Sequence, residues 1–328
     1  MVSKKLGAAI LSLTFVLAAC GQDEGDTSTT DTEQSKEESH ETTEDQSKEK
    51  NDSTYKEPFE GTIDHVHGVG YINGDSLALA AHDGLKFYED GKWHRTTKQN
   101  NDYMGFNAVD KGFYTSGHPG EDSSLPNPIG IQKSEDLGQT LEEVAFEGEF
   151  DFHVMGVGYQ NHAIYVLNGH GNNTLESGLH KSLDDGESFE KVEVSGIQGQ
   201  VMGLAVHPTN EDTLAVATKE GIFLSRDGGE TFEGVSEQTN GTSVYFSEDT
   251  LTYGSFGSEA HLTRYTLEDG SSEEISIPDF EQDAVAYFTE NPENPDEMMF
   301  LSFENHGFYT RDGGENWDKI VDAGQVKE

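Results

Sequence analysis

From His65 onward the chain runs in short stretches of alternating apolar and polar residues, and the stretches recur. Six of them open comparable segments: HVHGVGYI at 65, YMGFNAV at 103, HVMGVGY at 153, VMGLAVH at 201, TSVYFS at 242 and AVAYFT at 284. Each is followed by a second run, in order SLALAA, GFYTSG, AIYVLN, TLAVAT, LTYGSF and EMMFLSF. A loop, a short third run such as GLKFYE, GIFLS or GFYTR, a tight turn and a fourth run such as TFEGV or NWDKI complete the unit. Alternation with period two is the mark of a half-buried strand, and long helical patterns are absent. Four short strands in a repeat of roughly 40 residues make the blade of a propeller. The pattern therefore predicts an all-β, six-bladed β-propeller over residues 59–328.

The turn before the fourth strand repeats as a motif. SEDLGQTL begins at Ser134, SLDDGESF at Ser182, SRDGGETF at Ser225 and TRDGGENW at Thr310, at spacings of 48, 43 and 85 residues. The double gap places a weaker copy at Thr266–Ser272, and one period before Ser134 stands Asp90-Gly91-Lys92-Trp93. Asp136, Asp184, Asp227 and Asp312 suit acceptance of backbone N–H groups inside a tight turn. Gly138, Gly186, Gly229 and Gly314 supply the positive φ such a turn needs. These four acids are structural in this reading, not catalytic. The motif and its phase over residues 59–322 resemble the Asp-box (BNR-repeat) propellers, which include sialidases, sortilin-type domains and a photosystem II assembly factor family. The overall layout is most similar to Gram-positive lipoproteins labelled BNR-repeat or glycosyl hydrolase proteins. That resemblance implies a glycan-related activity.

The N-terminal part has a different character. Lys4 and Lys5 precede an apolar run from Leu6 to Ala19, which has the form of a signal peptide. Leu17-Ala18-Ala19-Cys20 resembles a lipobox, which implies cleavage before Cys20 and a lipid anchor on it. Residues 1–19 are thus read as signal peptide, and residues 20–58 as the lipidated Cys20 and a tether. Residues 21–58 hold thirteen acids against four lysines and almost nothing apolar, so the segment is expected to stay disordered. Cys20 is the single cysteine, which excludes an intrachain disulfide and a cysteine metal site. The expected location is the outer surface of the cell membrane, with the membrane as partner through the lipid. The net charge of −43 argues against nucleic acid as a partner. A monomer is expected.

Meander topology divides the residues between two faces. Strand-one starts and the loops between strands two and three share one face; the Asp-box turns lie on the other. The first face collects His65, His67 and His153 from strand starts and His82, His118, His170 and His306 from loops. These seven are the candidate ligand-binding residues. His67, His82, His118 and His170, with Met104, Met155 and Met202 nearby, are candidates for copper or zinc, since imidazole suits both metals and thioether suits copper. The loops 119–127 and 171–177 are expected to wall a pocket. Sialidase chemistry clamps a substrate carboxylate with several arginines, and Arg95, Arg226, Arg264 and Arg311 fall on outer strands or Asp boxes. A different glycosidase needs two carboxylates, and Asp64, Asp83, Asp102, Glu121, Asp151, Glu220 and Glu304 supply candidates without selecting a pair. The leading expectation is a non-catalytic recognition or scaffold module that binds a protein or glycan at the His-rich face. The alternatives are a non-sialidase glycoside hydrolase and a copper- or zinc-binding lipoprotein.

Overall fold

A computed structural model describes residues 55–279 and 281–327. The signal peptide, Cys20 and the tether as far as residue 54 lie outside the described residues. Six antiparallel sheets carry the fold, and in each the strands pair in meander order. The inner strands are Val66–Ile72, Asp102–Val109, Met155–Val157, Val201–Val206, Asn240–Phe246 and Val285–Asn291. Each inner strand packs on the inner strands of both neighbours, and the sixth returns to the first. The six-bladed propeller predicted by the repeat is the observed architecture.

Six hydrophobic clusters fill the six gaps between blades. Ile72, Phe87, Tyr103 and Phe113 join blades one and two. Tyr71, Leu79, Trp93, Met299 and Tyr309 join blade one to blade six. The other four interfaces have equivalent clusters. A sheet that presents apolar side chains on both faces is stable only when both faces are covered, and a closed ring covers all twelve faces with none left over.

Closure uses both ends of the described chain. Ile63 donates its N–H to Gly324 O at 2.8 Å, and Thr62 pairs with Gln325 in an antiparallel bridge. Trp93 Nε1 on blade one donates to Ile320 O on the adjacent blade six at 3.3 Å. One boundary differs from the sequence reading. Lys56–Pro58, assigned above to the tether, forms a fifth strand on blade one paired with Lys92–Thr96. Tyr55 is buried and anchors it through a hydrogen bond from its hydroxyl to Leu137 O. An acidic composition hid this strand because only Tyr55 and Phe59 supply its apolar contacts.

The Asp boxes behave as expected. Asp184 accepts from Ser182 Oγ at 2.7 Å, Ser188 N at 3.0 Å and Ser188 Oγ at 2.6 Å. Asp312 accepts from Thr310 Oγ1 at 2.7 Å, Asn316 N at 2.9 Å and Asn316 Nδ2 at 2.8 Å. Asp136 and Asp227 repeat the pattern. Gly186 and Gly314 sit at φ of 89° and 90°, and each donates its N–H to the box hydroxyl. The first weak copy is a different turn. Glu89 pairs with Lys92, and Asp90 and Gly91 both have positive φ, which is a two-residue type I′ hairpin.

Hydrogen bonds from Ser188 and then Ser182 hold the Asp184 carboxyl down at about 2, and those from Asn316 and then Thr310 do the same for Asp312. A carboxylate with a lowered folded-state pKa stabilises the fold above its unfolded value, and that stabilisation is lost as pH falls toward the folded value. The thermal midpoint is therefore expected to drop as pH falls from about 4 to about 2. The double variant Asp184→Ala/Asp312→Ala should start lower at neutral pH and lose less across that window. A calorimetric pH series in which both proteins lose equally would contradict this.

Candidate functional site

The rim formed by strand-one starts and second-to-third loops carries the histidines, as the topology predicted. The inner strands are irregular near that rim. Register shifts occur at Val66/Gly68, Met104/Asn107, Val201/Gly203, Gly241/Ser243 and Val285/Tyr287. A bulge turns side chains out of strict alternation, which lets polar residues of inner strands reach the opening.

Two carboxylates organise the rim. Asp102, at the start of blade two, has Oδ1 3.4 Å from His67 Nε2 and Oδ2 3.6 Å from His82 Nε2. Asp151, at the start of blade three, has Oδ2 2.7 Å from His153 Nε2 and 3.3 Å from His118 Nε2. Both carboxylate side chains are 18% exposed. His118 lies directly opposite Asp102 across paired strands, and its ring reaches Asp151 and Asn127. The His82 ring stacks on His65 at 4.6 Å and on His67 at 4.8 Å. Asp102 Oδ1, Asp151 Oδ1 and His67 Nε2 are buried atoms with no hydrogen-bond partner among the described residues. Buried polar atoms are almost always paired, so these three unpaired atoms leave capacity at the rim for water, an ion or a ligand.

The predicted residues therefore divide. His65, His67 and His82 form one group with Asp102, and His118 and His153 form another with Asp151. His170 is exposed on its loop and joins neither. His306 lies on blade six, where its Nδ1 accepts from Ala323 N and sits 3.2 Å from Asp322. Of the four residues expected to share one metal, His67 and His82 converge, His118 belongs to the neighbouring acid, and His170 stands apart. Met155 is buried in the core and Met202 is 37% exposed, and both line the channel. Other sequence candidates are placed elsewhere. Asp64 is solvent-exposed beside His65. Asp83 bonds the buried Lys86 ammonium at 2.7 Å, and burial lowers the Lys86 pKa against that partner. Glu121 and Glu220 are exposed on loops.

Asp283 was missed from the sequence. It opens the inner strand of blade six, accepts from Ala284 N and Glu304 N through Oδ1, and leaves Oδ2 buried and unpaired. Asp283, Glu304 and His306 bring their ligand atoms within 4.8 Å of one another. The signal was present, since Asp64, Asp102, Asp151 and Asp283 all precede or open an inner strand. Its inner strand, Val285–Asn291, lacks the glycine that each of the other inner strands carries, which obscured it.

The central channel has a volume of about 520 Å³ and is lined at this mouth by His67, Phe106, His153, Met202 and Phe303. Among the described residues, no lysine or arginine lines it. Arg95 pairs with Glu57, Arg264 with the buried Glu290, Arg226 with Leu267 O, and Arg311 covers Tyr309. An arginine cluster for a substrate carboxylate is not assembled. Phe303 is 60% exposed, the most exposed of the large hydrophobic residues described.

Similarity to known proteins agrees with this architecture. Residues 308–319 match the BNR/Asp-box repeat family. The chain is 41% identical over 66 residues to a xyloglucanase of Hypocrea jecorina (strain QM6a), a stretch covering 20% of this chain and 8% of that enzyme. The GH74 enzyme of Niastella koreensis superposes with a TM-score of 0.53 at 16% identity, covering 82% of this chain and 47% of that one. The xyloglucanase of Xanthomonas campestris gives 0.51 at 14% identity, covering 81% and 46%. The chain thus spans about half the length of these solved structures and a small part of the fungal enzyme. The structural likenesses concern the propeller fold. The 41% stretch shared with a xyloglucanase overturns the expectation that this is a non-catalytic recognition or scaffold module.

Gly117 fixes the junction between the two acids. It lies at φ 126°, and a Cβ there would stand 2.1 Å from Asp102 O and 2.9 Å from Met104 N. Gly117→Ala should destabilise the fold by about 1–3 kcal/mol through forced backbone displacement. Gly169→Ala, whose Cβ meets nothing within 4 Å, should change stability by less than about 0.5 kcal/mol. Equal denaturation midpoints for the two variants would contradict the packing described.

Proposed function

We propose that the protein is a glycoside hydrolase of non-sialidase type that acts on an uncharged polysaccharide at the His-rich mouth of the propeller. The observation that carries this reading is the pair Asp102 and Asp151 on neighbouring blades, each mostly buried and each with one unpaired oxygen at the rim. Glycosidic cleavage uses two carboxyl groups flanking the scissile bond. One protonates the departing oxygen; the other activates water or attacks the anomeric carbon. His118, paired with Asp102 across the strands, has its Nε2 3.3 Å from Asp151, and His67 and His153 line the adjoining channel mouth. Phe303 offers an exposed ring against which the apolar face of a sugar can stack. The absence of lysine and arginine from the lining, on a chain of net charge −43, favours neutral glycans over uronic or sialic acids. The 41% identity with a xyloglucanase over 66 residues supports the same substrate class.

The N-terminal sequence supports display of this propeller outside the cell membrane, held by lipid on Cys20. Radiolabelled palmitate should enter the wild-type protein and not Cys20→Ala, which should be released from the membrane fraction. Equal membrane retention of both proteins would contradict lipid anchoring.

Hydrolysis is tested by release of reducing ends from xyloglucan and other neutral β-glucans. Asp102→Asn and Asp151→Asn are each expected to lower the rate at least ~100-fold, the ordinary contribution of a general acid or base. His170→Ala on the same face should retain activity. Unchanged rates in both Asn variants, or no product from any of these glucans with the wild-type protein, would overturn the proposal.

A further inference from the structure

We propose that His67, His82 and Asp102 form a binding site for one borderline transition-metal dication of the zinc or copper class. The three residues come from a strand start, a second-to-third loop and the strand start of the next blade. Their ligand atoms all lie within 4.8 Å of one another. The two measured edges, 3.4 Å from His67 Nε2 to Asp102 Oδ1 and 3.6 Å from His82 Nε2 to Asp102 Oδ2, are long for hydrogen bonds. The first, between single ligand atoms of His67 and Asp102, is close to the edge of a tetrahedron of ligands at zinc bond lengths, about 3.3 Å, whereas the second runs to the other carboxylate oxygen. A cation between them would give a partner to His67 Nε2 and to Asp102 Oδ1, both buried and otherwise unpaired.

The surroundings suit this role. The His82 ring packs on His65 at an interplanar angle of 5° and on His67 at 26°, with its Nε2 3.6 Å from Asp102 Oδ2. The His82 side chain is 44% exposed, so a cation has an approach from solvent and a side left for water. Two imidazoles and one carboxylate select zinc and copper over magnesium and calcium, which favour all-oxygen sets. The other convergent group on this face is less available. In the group of Asp283, Glu304 and His306, Asp283 Oδ1 already accepts two backbone N–H groups and His306 Nδ1 accepts a third.

The site stands apart from the hydrolase reading, although the two share Asp102. If both hold, a bound cation withdraws Asp102 from the carboxylate pair and slows hydrolysis, and this consequence alone rests on the proposed function.

The test is a calorimetric titration of chelator-treated protein with zinc chloride, in excess magnesium to occupy the acidic surface and without any sugar. One zinc per chain is expected, with a dissociation constant in the micromolar range or tighter. His82→Ala and His67→Ala should each weaken it by at least ~10-fold, and His170→Ala should leave it unchanged. His82 is half-exposed, so its variant should keep the fold even if His67→Ala does not; circular dichroism checks both. Zinc bound no more tightly than magnesium, or His82→Ala binding zinc like the wild type, would overturn the site. Because no glycan is present, the titration succeeds or fails independently of hydrolysis.

Discussion

Closure of the ring is the constraint from which the rest of this molecule follows. Each blade is too small to bury its own two apolar faces, so it is stable only between neighbours. Six interblade clusters meet that need, and the last of them joins residues as distant in sequence as Leu79 and Leu301. The join is held by backbone hydrogen bonds between Ile63 and Gly324 and by the Thr62–Gln325 bridge. Were it to open, the inner strands of blades one and six would lose a packing face and expose the apolar residues between them.

A closed ring also decides which side chains meet. The inner strands all enter from one rim, and the loops between second and third strands return there. Residues from blades one, two and three thereby converge around Asp102 and Asp151, although His67 and Asp151 are far apart in the chain. The Asp boxes at the opposite end serve a different purpose. They saturate their carboxylates with local donors, which leaves those oxygens no capacity for a substrate. The rim acids have the reverse character, with imidazole neighbours and unpaired buried oxygens. Turn acids are satisfied by local donors and rim acids keep unpaired buried oxygens, and that difference distinguishes the two sets of carboxylates in this fold.

Much of the architecture was legible because the Asp box is a local code. Ser182, Asp184, Gly186 and Ser188 determine one another's positions within seven residues, so the sequence alone places the turn. The blade count and the choice of functional face followed from the phase of these turns. Closer detail was not legible because it depends on tertiary distance. Nothing in the chain order says that His82 reaches Asp102 while His170, on a corresponding loop two blades away, reaches neither acid. Asp283 was hidden because its inner strand has no glycine to set it in phase with the other blades. Lys56–Pro58 was hidden by acidic neighbours, since its pairing rests on backbone hydrogen bonds and on Tyr55 rather than on an apolar pattern.

The central claim is that the two rim acids, Asp102 and Asp151, share one ligand opening. The most direct measurement is a crystal structure of the protein with a neutral β-glucan oligosaccharide. The account predicts sugar density across the His-rich mouth, with a glycosidic oxygen within hydrogen-bond reach of one of these two carboxylates and a ring against Phe303. Density confined to the Asp-box end of the channel, or the two acids turned away from a common opening, would contradict it.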